Sequence, residues 1–110
     1  LFDHSVALAR ELHERLVTAP DFQALHEPHA NIVCFRYLPE NARNGMADNH
    51  ALDRFQDEIR ERYNTSGQGW ITATTLNGRR VLRVTLINPR TKSEHLDQLL
   101  EGIRQVDEGR

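Results

Sequence analysis

Trp70-Ile71-Thr72-Ala73-Thr74-Thr75-Leu76-Asn77-Gly78-Arg79-Arg80-Val81-Leu82-Arg83-Val84-Thr85-Leu86-Ile87 reads as two β-strands about a tight turn. Asn-Gly supplies the two positive-φ residues that a hairpin turn needs, and both flanks are rich in β-branched residues. In the second strand Leu82, Val84 and Leu86 share one face, while Val81, Arg83, Thr85 and Ile87 share the other. Pro89 ends this strand. Upstream, Leu52, Phe55, Ile59 and Tyr63 recur at helical spacing behind a capping Asp48 or Asn49. The Ser- and Gly-rich stretch from Asn64 to Gly69 closes that helix. Downstream, Thr91-Lys92-Ser93-Glu94 spells a capping box, and Leu96, Leu99, Leu100 and Ile103 line one face of a last helix.

Farther from the hairpin, Asn31 to Leu38 is dense in β-branched and aromatic residues and is a strand. Phe22 to Leu25 is a shorter strand, joined to it by a polar turn through Glu27, Pro28 and His29. Pro39 to Gly45 reads as a loop. Phe2, Val6, Leu8, Ala9, Leu12 and Leu16 give the opening stretch a helical stripe that Pro20 stops, with Asp3 suited to the positive end of the dipole. The element order is therefore α-β-β-α-β-β-α. It predicts an α+β fold, a four-stranded and mainly antiparallel sheet with helices on one face. The order differs from that of an RNA-recognition motif. Because both strand faces contain apolar residues, the face away from the helices is expected to seek an external partner.

A chain of 110 residues is one domain. At this size it buries roughly 65% of the surface its unfolded form exposes, enough for one core. The net charge of −2 speaks against nucleic acid as a main partner, since phosphate binding needs a clustered positive field. No apolar run reaches the roughly 20 residues that cross a bilayer, so no membrane partner is expected. Cys34 is the single cysteine, and a lone thiol within an apolar run reads as packing and as a cytoplasmic origin. The first residue is Leu1, as in a piece cut from a longer protein.

Two segments carry a resemblance. Asn31-Ile32-Val33-Cys34-Phe35-Arg36 is similar to the Cys-Phe-Arg segment of the C-terminal region of group II pyridoxal-phosphate decarboxylases. Gly78-Arg79-Arg80-Val81-Leu82-Arg83-Val84-Thr85-Leu86-Ile87-Asn88-Pro89-Arg90-Thr91 resembles their last strand and its step into the final helix. The similarity runs from about Phe22 to Ile103. It implies a fold-type I enzyme in which a large upstream domain holds pyridoxal phosphate on a lysine. Residues 1–110 would be the small C-terminal domain closing over one side of the site. It further implies an amino-acid substrate, a homodimer, and a cofactor that acts as an electron sink once the α-carboxylate leaves as carbon dioxide.

Arg83 is the expected substrate-binding residue, because the matching arginine in this family is associated with the substrate carboxylate. A guanidinium suits that role through two parallel hydrogen bonds, and a charge in an apolar strand needs a specific partner. The competing reading of Arg83 is a structural ion pair with an acid of the upstream domain. Arg36 is expected to be structural, and Arg79, Arg80 and Arg90 solvated. Lys92 is the only lysine and sits at a helix start without an apolar pocket, so no catalytic or cofactor-binding residue is assigned within the chain. His26-Glu27-Pro28-His29 lacks the spacing of a zinc helix, and His4, His13, His50 and His95 fall on polar helix positions. Two alternatives remain: a free-standing small-ligand or protein-binding module, and the small domain of another fold-type I enzyme such as an aminotransferase.

Overall fold

The three helical stripes of the sequence become α1 (Phe2–Thr18), α2 (Asn49–Ser66) and α3 (Ser93–Glu108). The computed structural model describes residues 2–40, 42 and 48–108. The side chains of Phe2 and Asp3 lie outside the described set. Four strands, β1 (Phe22–Ala24), β2 (Ile32–Tyr37), β3 (Thr72–Leu76) and β4 (Arg79–Thr85), form one sheet in the order β1-β2-β4-β3. Every pairing is antiparallel, and Phe22 faces Tyr37, Phe35 faces Leu82, and Thr72 faces Arg83. Asn77 and Gly78 take φ of 52° and 78°, the paired left-handed conformation that the Asn-Gly signal requires.

The helices lie against the face carrying Val33, Phe35, Tyr37, Leu82, Val84 and Leu86, all of them buried. Leu12 and Leu16 of α1, Phe55 and Ile59 of α2, and Leu96 and Ile103 of α3 complete this core. Full burial of each such side chain stabilises the fold by about 1.5–3 kcal/mol relative to exposure. Phe22, Tyr37 and Phe55 form an aromatic row with ring centroids 5.0 and 6.0 Å apart. Gly102 on α3 is the place where a Cβ would come within 3.0 Å of the Tyr63 ring, so its missing side chain permits the close approach of α2 and α3.

Helix α2 also completes the ends of three strands. The Gln56 amide, fully buried, accepts from Tyr37 N–H at 2.9 Å and donates to Tyr37 C=O at 2.8 Å. Asn64 makes the same double contact with Ile71, at 2.8 Å in each direction. Asp53 accepts the Arg80 N–H at 3.0 Å. Buried backbone groups need such partners where the ladder stops, and side chains of α2 provide them.

Several expectations are corrected. Glu40 and Ala42 are helical where a loop was expected, and Ala42 is buried; residues 41 and 43–45 of that stretch lie outside the described residues. The reciprocal bond at the start of α3 lies one residue beyond the expected capping box. His95 Nδ1 accepts the Lys92 N–H at 2.8 Å, so His95 has a role as the helix's entry clamp. Arg80 is not solvated: its guanidinium donates to Asp57 at 3.0 and 3.2 Å and to Thr75 at 3.2 Å, binding the sheet to α2. Finally, the face away from the helices is not broadly apolar. Its inner apolar residues, Cys34 and Val81, are 5% and 1% exposed, and the exposed large apolar residues are Val17, Leu25, Trp70 and Ile87.

Candidate functional site

Alternation along the strands places Ile32, Cys34 and Arg36 of β2 on the face opposite the helices. Thr72, Thr74 and Leu76 of β3 and Arg79, Val81, Arg83 and Thr85 of β4 share that face. None of these strand residues is acidic, and three are arginines. A sheet face with this balance attracts anions.

Arg83 occupies the middle of the face on β4, a strand with a neighbour on each side. Cys34 stands opposite it on β2 and Thr72 on β3. Thr72 Oγ1 donates to the Arg83 carbonyl at 3.2 Å, which leaves the Arg83 side chain free of that contact. The guanidinium is exposed and forms no ion pair with any described residue. Burial pushes the Cys34 thiol pKa up, against a smaller opposing pull from Arg83. Cys34 is thus a packed thiol beside the arginine.

Arg36 is of a different kind. It is 4% exposed, and its nearest carboxylate, Asp53, stands 3.5 Å from Nη2. Nε and Nη2 are both buried without a hydrogen-bond partner among the described residues. Burial lowers its pKa, Asp53 opposes this, and nearby Arg79 lowers it further. Arg36, Arg79, Val81, Gln23 and His26 line a cavity of about 280 Å³ at this end of the sheet.

Comparison with known proteins decides what this domain resembles. No family model matches the chain. It is 29% identical over 106 residues to an aromatic-L-amino-acid decarboxylase of Bacillus atrophaeus, covering 96% of this chain and 21% of that protein. Its fold superposes with a TM-score of 0.84 on the glutamate decarboxylase domain of a Vibrio parahaemolyticus diaminobutyrate-pyruvate transaminase and L-2,4-diaminobutyrate decarboxylase. That match is at 27% identity and covers 99% of this chain and 22% of the other. The chain matches the C-terminal portion of the group II pyridoxal-phosphate-dependent amino-acid decarboxylases. It also shares the fold of an Oryza sativa TDC solved with PLP and tryptamine, with a TM-score of 0.83 at 24% identity and coverage of 96% and 22%. The chain spans about a fifth of the length of the relatives it matches.

Lys92, the one lysine, is exposed at the entry to α3, whereas a nucleophilic lysine is activated by desolvation. His26 is tied to the neighbouring Glu27 carbonyl at 2.6 Å, and His29 bridges to Ile32 in the turn before β2. Among the described residues no three His, Cys, Asp or Glu side chains gather where a metal ion could be held. No described helix is long and apolar enough to cross a membrane. Arg83 and Arg36 are therefore brought to one face, while Arg80 is carried to the other. Sequence reading missed Gln56 and Asn64, although Gln56 falls on the apolar side of the α2 stripe, a polar residue where a core residue belongs.

Proposed function

We propose that residues 1–110 are the small C-terminal domain of a larger pyridoxal-phosphate-dependent enzyme that removes the α-carboxylate of an amino acid as carbon dioxide. The observation carrying this reading is Arg83, a cation without an ion-pair partner among the described residues, on one of the two inner strands of the face left open by the helices. In this role the Arg83 guanidinium holds the substrate carboxylate through its planar fork. Cys34 and Thr72 flank it, and Arg79 adds positive potential to the same face. The cofactor and its lysine belong to the upstream domain, and nothing in this chain takes part in their chemistry.

Homodimeric assembly is proposed on the family resemblance alone. A reducing, cytoplasmic compartment suits the buried, unpaired thiol of Cys34. The experiment that tests the role of Arg83 is steady-state kinetics and thermal melting of the intact enzyme with Arg83→Lys and Arg83→Met. A loss of catalytic efficiency at unchanged melting temperature supports carboxylate binding; unchanged efficiency in both variants removes it.

A further inference from the structure

A fully charged side chain buried in a protein needs a partner at hydrogen-bond distance, because desolvation is otherwise uncompensated. Arg36 lacks one. Its closest carboxylate, on Asp53, stands at 3.5 Å and already accepts the Arg80 backbone N–H. Nε and Nη2 make no hydrogen bond with a described residue, and the side chain is 5% exposed. The residues about it add to the imbalance. Arg79 brings a second positive charge, and the neutral or basic side chains of Gln23 and His26 line the same cavity. Among the described residues no acid lines that cavity of about 280 Å³. It has room for a carboxylate side chain, and guanidinium pairs with carboxylate in a planar, two-point geometry.

We infer that the Arg36 cavity is a receptor for one aspartate or glutamate side chain supplied by the polypeptide upstream of Leu1. The inference rests on the proposed reading that the chain is the C-terminal part of a longer enzyme. Two observations select this occupant over a free anion. The chain covers about a fifth of its relatives' length, so most of such a protein lies outside these residues. The open face bears arginines and no acid on its strands, so the surface that packs on it must bring the carboxylates. Arg36 then fixes where the upstream domain sits, and Arg83, two strand positions further along the face, is left free for substrate.

The test uses the intact enzyme carrying Arg36→Lys together with Asp53→Asn. Lysine puts a primary amine in the cavity, and asparagine removes the competing local acid while keeping an oxygen for the Arg80 N–H. A water-soluble carbodiimide is added to join the amine to any carboxylate in contact, and the linked peptides are mapped by mass spectrometry. Arg36→Lys alone is treated in parallel, so that poor folding of the double variant does not decide the result. The expected product joins position 36 to an aspartate or glutamate upstream of Leu1, in most of the folded protein. An amine recovered free, or joined only to an acid within residues 1–110, overturns the inference. Decarboxylase activity of the unsubstituted enzyme is assayed separately. Activity without the upstream link rejects the receptor and leaves the proposed function standing; the link without activity does the reverse.

Discussion

Gln56 and Tyr37, nineteen residues apart in sequence, exchange two hydrogen bonds through one side-chain amide and one backbone unit. Tyr37 is the last residue of β2, and the amide stands in for the next strand pairing. The Tyr37 ring meanwhile packs between Phe22 and Phe55, and its hydroxyl donates to Asp107 at 3.3 Å. One residue therefore joins sheet, α2 and α3.

Gln56→Leu should destabilise the domain by about 2–6 kcal/mol, since it strands a buried N–H and a buried C=O, each costing about 1–3 kcal/mol. Urea unfolding measures this as a lower midpoint at an unchanged slope. A loss below about 1 kcal/mol would mean that water replaces the amide.

Stability should fall in alkali. Burial, with Asp107 second, raises the Tyr37 pKa, and burial raises those of Tyr63 and Cys34. A group whose pKa is higher folded than unfolded contributes its stability in full below the unfolded value, and loses it as pH rises toward the folded one. The loss therefore begins near pH 8.5 for the thiol and about pH 10 for the phenols. Melting temperatures from pH 7 to 11 should decline, and Tyr37→Phe should flatten the upper part of the curve. An equally steep decline in Tyr37→Phe would remove Tyr37 as its cause.

Gly78→Ala should cost about 1 kcal/mol or more, because φ of 78° is strained for any residue with a Cβ while nothing crowds the position. Thermal melting of the variant tests this, and an unchanged midpoint would mean that the hairpin can adopt another turn.

The 110-residue chain mixed with pyridoxal phosphate should develop no stoichiometric visible absorbance band, given one exposed lysine. A band that persists in Lys92→Ala would place cofactor binding within the chain after all.

In the intact enzyme, Arg83→Lys should lower catalytic efficiency by roughly one to two powers of ten, the equivalent of a charge-assisted hydrogen bond of about 1.5–3 kcal/mol. Arg83→Met should lower it at least as far. Both should melt within a degree or two of the parent, because the side chain is exposed in this domain.

The architecture was legible wherever the period of the sequence matched the period of the element. Alternation in Arg79 to Ile87 and the helical spacing of Leu52 to Tyr63 placed the sheet and α2 to within two residues. What escaped was set by distant partners. Arg80 looked like a turn residue until α2 presented Asp53 and Asp57 to it. The open face looked apolar because Cys34 and Val81 alternate into it. A linear reading does not show that Arg36, Arg79 and Arg83 on the same strands convert it to a cationic surface. Arg83 was singled out by resemblance, and it sits at the centre of that face between Cys34 and Thr72. The state of Arg36 had no signal in the sequence, since an arginine between Phe35 and Tyr37 reads alike whether paired or orphaned.

The strand order has a kinetic consequence. The β1-β2 and β3-β4 hairpins each follow a helix, so the chain carries two α-β-β units in succession, and their second strands meet at the middle of the sheet. Pairing within each unit is local, whereas Asn31 and Leu86, which bond across the central seam, lie 55 positions apart. Closing so long a loop costs entropy before the seam returns any contact, and topologies with distant pairings fold more slowly. Helix α2 spans the join, reaching back to Tyr37 through Gln56 and forward to Ile71 through Asn64. Formation of the central seam is then expected to limit folding, and substitutions at Gln56 should retard refolding more than those within either hairpin turn.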